Sequence, residues 1–421
     1  MLKVIFKAMK HLFVLAAGAV LMMMTVVSCG ELPGVGGNDA DNSYKPLELS
    51  TKAAGFVEKG SSFTFDYIDR INKEADEDFV VSPLSMQFLL GMLLDGAKGE
   101  TAAQIANVLG YGAGETDEVN QFCLSMLQQL PKLDSKTRLN IANAIFLDDG
   151  WPLNSSFTKT VGKYFEAEVT NLDFADNSAS LKAINGWCAK QTEGLIPKVL
   201  DDVDPTILAY LMNAVYFKSQ WVWQFSKDAT SDETFTDESG ARSTVKMMKQ
   251  ESNIPYCENE YFQMVRLPYG NGAFSMFVLL PKQNCEISDI TAQLKKADWS
   301  QLRSQPVEKD VDLWLPRFET KFKIMLNDIL SAMGMPLAFS AADFSAMSPA
   351  ASRLSFVQQD AVIKVDEEGS EAAAVSVAAV EKNATAIGGK RPVFHADHTF
   401  IYLIAEQSTG AVLFAGRYSG K

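Results

Sequence analysis

The segment after Asp366 has side chains that would let its backbone enter a β-sheet as an additional strand. It lies between two clear strand patterns, at residues 361–365 and 400–405. Successive side chains of a strand point to opposite faces, so alternate residues can be grouped by face. From Ser370 one face is small and nearly uncharged, with Ser370, Ala372, Ala374, Ser376, Ala378 and Val380. The other face can be solvated and holds Glu371, Ala373, Val375, Val377, Ala379 and Glu381.

Two more ordinary structures fit the same composition. Ala is the best helix former, so residues 371–382 could form a short exposed helix. They could also form a flexible linker. Three Val residues weaken the helix interpretation, because β-branched side chains are restricted in helices. A compact domain rarely keeps so long a structureless connection unless the connection has a function.

Residues suited to nucleophilic catalysis are scarce. The usual general base is His, and after residue 28 only His395 and His398 remain. The sequence has no Gly-x-Ser-x-Gly, His-Glu-x-x-His, P-loop or Gly-x-Gly-x-x-Gly motif. Its many carboxylates could include a glycosidase pair, but no spacing selects one, and we interpret them as solvated surface. The sequence therefore predicts no enzyme, no metal site and no cofactor.

Several motifs, in a fixed order, resemble those of one family. The hinge resembles that of inhibitory serpins and consists of Glu367, Glu368, Gly369, Ser370, Glu371, Ala372, Ala373 and Ala374. Residues 394–404 are similar to the serpin C-terminal pattern at every restricted position. Further resemblances, in family order, lie at residues 79–85, 213–221, 245–248 and 274–281. The resemblance covers about residues 61–418. Several independent motifs in the family order are not expected to match by chance.

The resemblance implies an α+β fold. It implies one serpin domain at 61–421 with a large central mixed sheet, further sheets, eight or nine helices and an exposed reactive-centre loop at about 367–392. It also implies a suicide reaction with a serine protease, trypsin-like or elastase-like, by a monomeric inhibitor. The protease attacks the loop and forms an acyl-enzyme. The freed loop then inserts into the main sheet and distorts the enzyme. Loop insertion by serpins is a known example of strand addition to a sheet.

The attacked bond is placed by counting along the loop. Counting from Glu367 as inhibitory relatives do places the attacked carbonyl at Asn383, before Ala384. Lys382 is the only basic side chain between Glu371 and Lys390. A trypsin-like pocket needs a cation, which favours cleavage between Lys382 and Asn383. Elastase-like pockets prefer small apolar groups, and Val380, Ala384 or Ala386 could serve them.

Two polar sets match family positions that control sheet opening. The first set lies at the top of the hinge, a region called the breach. There Glu367 would pair with Arg317, either as a bidentate pair or as a weak surface ion pair. Trp221 matches the aromatic residue near the point of insertion, or it is simply part of the core. Under the sheet centre, the shutter, the matching residues are Ser82, Ser85, Asn213 and Gln359. Many relatives have His where this chain has Gln359. Gln can donate and accept but does not titrate near neutral pH, which argues against pH-gated opening there.

Two rival functions stay open. A non-inhibitory serpin acting as carrier or chaperone would be favoured by a Pro or a charge on the inserting face, and the sequence shows neither. A surface lipoprotein that binds glycans or peptides would need aromatic side chains along an exposed groove.

The first 28 residues resemble a bacterial lipoprotein signal. Lys3, Lys7 and Lys10 precede an apolar run at 12–27, too short for a spanning helix. The sequence Val-Val-Ser-Cys at 26–29 resembles a lipoprotein processing site, so Cys29 would carry lipid; an ordinary secretory signal is the alternative. We expect the protein to be exported and anchored by lipid in the outer membrane. Residues 29–60 would form a flexible tether, and the domain would face the periplasm or the cell surface.

The negative net charge restricts the binding partners of the protein. The net charge is −14, and removal of 1–28 takes away three Lys and no acid. Such a chain is a poor ligand for nucleic acid or an anionic membrane surface. Residues 117–136, where some serpins bind glycosaminoglycan, hold only Lys132 and Lys136 as bases, so no such cofactor is expected.

The cysteines are widely spaced along the chain. Cys123, Cys188, Cys257 and Cys285 are expected to be free and mostly buried.

Hydrophobic periodicity gives the coarse element order. Ser82 and Pro83 predict a helix start, and Thr101 the N-cap of a second helix that ends at Gly110. Further helices are predicted at 180–192, stopped by Gly194, and at 290–302. Strands are predicted at 139–147, 209–217, within 245–280 and at 311–318. Helices clustered before strands favour an α+β class.

Overall fold

The computed structural model describes residues 42–112, 114–351, 353–370 and 391–421, and these all belong to one compact unit. Ten α-helices lie in this part of the chain, one more than the upper figure expected. They are α1 Thr51–Glu74, α2 Pro83–Gly96, α3 Gly99–Val108, α4 Thr116–Gln129, α5 Ser155–Tyr164, α6 Asn177–Gln191, α7 Ile287–Lys296, α8 Trp299–Ser304, α9 Asn327–Met333 and α10 Leu337–Ser340.

The described strands number fifteen. They are β1 Phe79–Val81, β2 Arg138–Asp148, β3 Glu168–Leu172, β4 Ala209–Gln220, β5 Ser231–Thr236, β6 Arg242–Glu258, β7 Phe262–Tyr269, β8 Phe274–Pro281, β9 Val307–Pro316, β10 Phe318–Met325, β11 Gln358–Val365, β12 Gly369–Ser370, β13 Val393–His395, β14 Phe400–Glu406 and β15 Val412–Tyr418. The predicted α+β class is confirmed.

The strands form two sheets. The nine-stranded sheet has the order β1-β15-β14-β8-β7-β6-β9-β13, with β5 paired to β6. Its strand β8 is buried at every position, because both of its faces are covered, and it therefore reads as a continuous apolar run. The six-stranded sheet has the order β10-β11-β12-β4-β2-β3 and is mixed, since β2 and β3 are parallel while the other pairs are antiparallel.

The six-stranded sheet consists of two halves joined through a very short strand. One half is β10 and β11, and the other is β4, β2 and β3. Between them lies β12, which has only two residues, Gly369 and Ser370. Over the rest of their described length, no register pairs β4 directly with β11. A strand entering this sheet would therefore enter between β4 and β11.

Helix α2 begins as predicted. The Ser82 side chain accepts from the Ser85 N–H at 3.2 Å, and Pro83 occupies the first turn, where its missing N–H costs nothing. Nearly every residue of α2 is buried, because the helix lies under the six-stranded sheet and against β15. The stops at Gly110 and Gly194 also hold, with φ of +81° and +84° that favour Gly.

Several element boundaries differ from the predictions: α6 begins at Asn177 rather than at 180, and the predicted strand at 311–318 is interrupted at Arg317, between β9 and β10. Thr101 is not an N-cap: α3 begins at Gly99, and the Thr101 hydroxyl accepts from the Asp343 N–H at 3.0 Å. The predicted helix at 290–302 is two helices, α7 and α8. The chain is extended at Ala297 and Asp298, and Asp298 caps α8 by accepting from the Gln301 N–H at 3.2 Å. At Thr101 a hydrogen bond from a distant residue, and at Asp298 a local one, overrides the apolar periodicity.

The predicted tether at 29–60 is wrong for its described part. Helix α1 already begins at Thr51, and Phe56 within it is only 3% exposed. Residues 42–48 are docked on the domain by side-chain hydrogen bonds, and Leu47 is buried. Asn42 is bonded through its side chain, whereas Leu47 and Glu48 are bonded through their main-chain groups. Cys29 and the signal segment lie outside the described residues.

The four cysteines among the described residues are free, with Cys123 and Cys188 buried and Cys257 and Cys285 half-buried. No helix among the described residues is both long and apolar enough to cross a membrane.

A buried carboxyl joins α2 to α4. The Asn120 side-chain N–H donates to Asp95 Oδ1 at 2.8 Å. Asp95 Oδ2 and Asn120 Oδ1 are both buried acceptors without a hydrogen-bond partner in the described structure. Burial raises the pKa of Asp95 to about 6, against the opposing effect of the Asn120 hydrogen bond. The folded protein therefore keeps Asp95 protonated up to a higher pH than an ordinary aspartate.

This pair should make stability fall as pH rises. Between the ordinary carboxyl pKa and about 6 the folded state holds the extra proton, so the free energy of unfolding decreases through this window and then levels off. The loss should be at most about 2–3 kcal/mol. Asp95→Asn, which cannot ionise, should flatten this part of a pH series of thermal melts. Asp228→Asn, at an exposed site, is the control and should keep the wild-type slope.

Candidate functional site

The hinge begins with a tight turn after β11. The Asp366 N–H donates to the Gly369 carbonyl at 2.9 Å, and Asp366 Oδ1 accepts from the N–H groups of Glu368 and Gly369 at 2.9 and 3.2 Å. The chain thereby turns back, and Ser370 pairs with Val365 of β11. On its other side β12 pairs with β4, with Gly369 opposite Gln220 and Ser370 opposite Ser219.

Gly369 is required by the close approach of two backbones. A Cβ at this position would lie 2.0 Å from the Ser219 carbonyl oxygen and 2.8 Å from Gln220 Cα. Any side chain would therefore push β12 away from β4. The next residue, Ser370, is fully buried, and its hydroxyl lies 2.6 Å from the Tyr269 hydroxyl. The first member of the small face thus lies inside the sheet.

Glu367 is a buried carboxylate held by a guanidinium and a hydroxyl. Arg317 Nη2 and Nε donate to its two oxygens at 2.5 and 3.2 Å, so the pair is bidentate. Thr230 donates to the same carboxylate at 2.6 Å. Burial favours the neutral acid, but the hydrogen bonds from Arg317 and Thr230 outweigh it, and the pKa of Glu367 lies below its ordinary value. Glu367 is 1% exposed while the Arg317 side chain is 46% exposed, so the pair is bidentate but only half-buried.

The neighbouring acid and aromatic residue complete the breach. Lys227 pairs with Glu368 at 2.5 Å in a more exposed position. The Trp221 indole N–H donates to the Asp366 carbonyl at 2.9 Å, and its ring stacks on Tyr269 with centroids 4.3 Å apart. Trp221 is therefore both buried and bonded to the hinge turn. Burial of Asp366 raises the pKa of its carboxyl, against its two backbone hydrogen bonds.

On the β11 side of the shutter, Gln359 is bonded to the start of α2. Its Nε2 donates to the Ser82 carbonyl at 2.9 Å, and its Oε1 accepts from the Ser82 N–H at 3.1 Å. The Tyr67 hydroxyl donates to the same Oε1 at 3.0 Å. Gln359 thus uses its donor and its acceptor at once, and none of these three groups titrates near neutral pH.

On the β4 side, the first turn of α2 reaches Asn213. The Ser85 hydroxyl donates to Asn213 Oδ1, and Asn213 Nδ2 donates to Asn143 Oδ1 on β2 at 2.7 Å. Asn143 in turn donates to the Phe165 carbonyl at 2.7 Å. A small solvent-open pocket lies between the halves, lined by Asn213, Gln359 and neighbours from both strands. The α2 N-terminus therefore holds both halves across the division.

The structure brings most predicted site residues together. Arg317, Glu367 and Trp221 meet at the breach, although Arg317 lies between β9 and β10 rather than within a strand. Residues 371–374, Lys382, Asn383 and Ala384 fall outside the described residues. The sequence analysis missed Thr230, Tyr67, Tyr269 and Asn143. Only Asn143 carried a signal, as a polar residue within the apolar strand pattern at 139–147.

The two late histidines have structural partners. His395 Nε2 lies 3.0 Å from Asp312, and its ring stacks on Trp314 at 4.0 Å. His398 bonds Asp397 and the Pro281 carbonyl. Burial opposes protonation of His398, but Asp397 and Pro281 outweigh it, so its pKa lies above the ordinary value. Neither imidazole is bonded to a Ser or Cys nucleophile among the described residues.

The breach pair should stabilise the hinge measurably. Arg317→Ala leaves the Glu367 carboxylate buried with Thr230 as its remaining side-chain donor. Because the Arg317 side chain is 46% exposed, the loss should be about 1–3 kcal/mol rather than that of a fully buried pair. Thermal melts at pH 7 should show a clear decrease. Lys227→Ala removes the exposed pair with Glu368 and should cost less. Equal melts for both variants would contradict this assignment.

Comparisons with known proteins agree with this geometry. The family model for serpins, serine protease inhibitors, matches residues 58–420. Serpin B6 of Macaca fascicularis is 34% identical over 374 residues, covering 86% of this chain and 98% of that protein. The thermophilic serpin tengpin in its native state has TM-score 0.78 and 28% identity, covering 89% and 96% of the two chains. Human thyroxine-binding globulin has TM-score 0.78 and 26% identity, with coverage of 87% and 98%. The chain therefore belongs to the serpin family, whose members are generally protease inhibitors rather than enzymes.

Proposed function

We propose that this serpin is an irreversible suicide inhibitor of serine proteases that acts by cleavage-triggered insertion of its loop. The observation that carries the proposal is the divided six-stranded sheet, in which Gly369 and Ser370 already lie between β4 and β11. The chain continues from this point into the alternating segment of small residues. The first two residues of a new central strand are thus in register.

The proposed reaction starts on the loop. The protease Ser hydroxyl attacks the Lys382 carbonyl carbon, and its proton passes to the protease base. The bond to Asn383 breaks, the Asn383 nitrogen takes that proton, and an ester joins Lys382 to the protease. Residues after Ser370, now released at one end, extend β12 between β4 and β11. The attached protease is carried along, and deformation of its active site stops hydrolysis of the ester.

Insertion is favourable because of what the new strand buries. Each inserted residue gains main-chain hydrogen bonds to strands on both sides. The face turned to the core carries Ala372, Ala374, Ser376 and Ala378, which need no charged partner in a low-dielectric interior. The active form is then held by a barrier rather than by the lowest free energy. The contacts of Glu367, Gln359 and Asn213 are the described contributions to that barrier.

The target class follows from the loop residues. Lys382 suits a trypsin-like pocket, whereas Val380, Ala384 or Ala386 would suit elastase-like enzymes. We further propose an exported monomer anchored through lipid at Cys29, without a glycosaminoglycan cofactor. The support is the basic and apolar signal, the Val-Val-Ser-Cys sequence at 26–29 and the acidic charge.

A carrier function is the second candidate, since thyroxine-binding globulin has the same fold at TM-score 0.78. It would not require a small inserting face. The small face at Ser370–Ala378 thus favours the inhibitor, and complex formation decides between the two.

Incubation with trypsin or an elastase should give a covalent complex that survives boiling in detergent. Ala374→Glu should convert the inhibitor into a substrate that is cleaved without this band, because a charge would have to enter the core. Ala373→Glu places the same charge on the solvated face and is the matched control, which should retain the complex. Clean turnover of the wild type by both enzyme classes would favour the carrier function.

Lys382→Ala should reduce complex formation with trypsin by at least about tenfold, because the cation that fills the trypsin-like pocket is lost. Inhibition of an elastase should persist if that enzyme uses a neighbouring bond. Lys390→Ala removes the other base near the loop and should leave trypsin inhibition unchanged. Full potency of the Lys382 variant would move the attacked bond elsewhere.

A further inference from the structure

Residues 42–48, here called the N-terminal strap, are bound to the domain by specific contacts. Gln129, the last residue of α4, accepts from the Glu48 N–H at 2.9 Å and donates to the Glu48 carbonyl at 3.0 Å. The Leu47 N–H donates to the Ser408 hydroxyl at 3.1 Å, and the Leu47 side chain is 9% exposed. The Gln129 side chain thus bonds both the N–H and the carbonyl of Glu48, as a neighbouring strand would. The strap is therefore a docked part of the fold.

The strap ends at a buried carboxylate. Asp134, which is 2% exposed, accepts from Asn42 Nδ2 at 2.9 Å and from the Thr137 hydroxyl at 2.6 Å. It also accepts the N–H groups of Lys136 and Asn271, at 3.0 and 3.2 Å. Asn42 is bonded further to the Ser135 N–H at 2.8 Å and to Asn271 Nδ2 at 3.2 Å. Asn42 thus supplies a neutral donor to a buried charge.

The β7–β8 turn packs tightly against the Asp134 carboxylate. A Cβ at Gly270 would lie 1.7 Å from Asp134 Oδ2, so the β7–β8 turn is pressed against the carboxylate. The Gly270 N–H donates to the Gln220 carbonyl at 2.9 Å, at the end of β4. Gln220 is the residue opposite Gly369. A shift of Asp134 is therefore passed through the turn to the strand that receives the hinge.

A second path leads from Asp134 to the same place. The Thr137 hydroxyl, bonded to Asp134, lies 2.6 Å from the Ser219 hydroxyl, and both groups are buried. Ser219 is opposite Ser370. From the other side, Tyr269 at the start of the β7–β8 turn contacts the Ser370 hydroxyl. The two paths from Asp134 therefore bracket Ser370.

We propose that Asn42 and Asp134 are positioning residues for loop insertion, through which the docked strap holds the end of β4 in register with Ser370. The inference rests on the proposed inhibitory function and adds to it a control by the segment that precedes the domain. Removal of the Asn42 donor leaves Asp134 under-solvated in a buried site, and the carboxylate must rearrange with its neighbours. This loosens the entry point between β4 and β11 and lowers the barrier to insertion.

The first test is hydrogen exchange, which needs no protease. Asn42→Ala should speed amide exchange about tenfold in peptides that contain Ser219 and Ser370, relative to peptides of β8 in the same sample. Asn42→Asp should have a larger effect, because it places a second carboxylate against Asp134. Ser43→Ala, an exposed change within the strap, is the matched control and should match the wild type. Unchanged exchange at both hinge peptides in both Asn42 variants would overturn the proposal.

The second test follows function. On incubation at 37 °C without protease, Asn42→Ala should lose inhibitory activity about tenfold faster than wild type, because the loop inserts without cleavage. Thr137→Val, which breaks the relay further along, should give a similar acceleration, and the double variant should show little more than either single one. Fully additive effects, or wild-type rates in both variants, would contradict the relay. A wild type that never forms a covalent complex would instead refute the proposed function, while the exchange result would stand.

Discussion

The two halves of the six-stranded sheet meet through two residues, and the other features of the site depend on this narrow connection. A sheet is normally continuous because each strand supplies main-chain partners to the next. Here β4 and β11 have separate registers below β12, so the described sheet is held at its top by Gly369 and Ser370. Side chains and a helix must therefore supply the cohesion that a continuous ladder would give.

Three kinds of contact supply that cohesion at different heights. At the top, close backbone approach at Gly369 and the bidentate pair of the buried Glu367 with Arg317 fix the hinge. At the centre, the first turn of α2 is bonded to Gln359 on one half and to Asn213 on the other. These contacts are polar and directional, so they can be broken and exchanged more readily than an apolar core. That property suits a sheet that must hold still and later open.

The hinge turn concentrates three acidic residues, and the fold treats each one differently. Glu367 is buried and matched by a guanidinium and a hydroxyl, which lowers its pKa. Glu368 faces outward and meets Lys227. Asp366 turns its carboxylate onto backbone N–H groups, and its burial raises its pKa. Because the Glu367 carboxylate is buried while its partner Arg317 is half-exposed, removal of Arg317 would leave an uncompensated buried charge in the breach.

The sequence by itself determined the class, the order of the main elements and the face pattern of the loop. Ser82 with Pro83 sufficed to predict the start of α2, and Gly110 and Gly194 the ends of two helices, because these signals act through local backbone geometry. The motif that resembles the serpin hinge led to the assignment of Glu367, and Arg317 and Gln359 were assigned by matching them to family positions. Local signals failed where a hydrogen bond from a distant residue decided the boundary, as at Thr101 with Asp343.

Only the tertiary structure decided the rest. Whether Glu367 pairs weakly at the surface or strongly inside depends on burial, which needs β11 and β4 in place. Thr230, Tyr67 and Tyr269 enter the site from elements far away in the chain, and no local pattern marks them. Residues 42–48 look like a tether because their composition is polar. They are docked because Asp134, Gln129 and Ser408, brought together by folding, offer partners to the Asn42 side chain and to the main chain of Leu47 and Glu48.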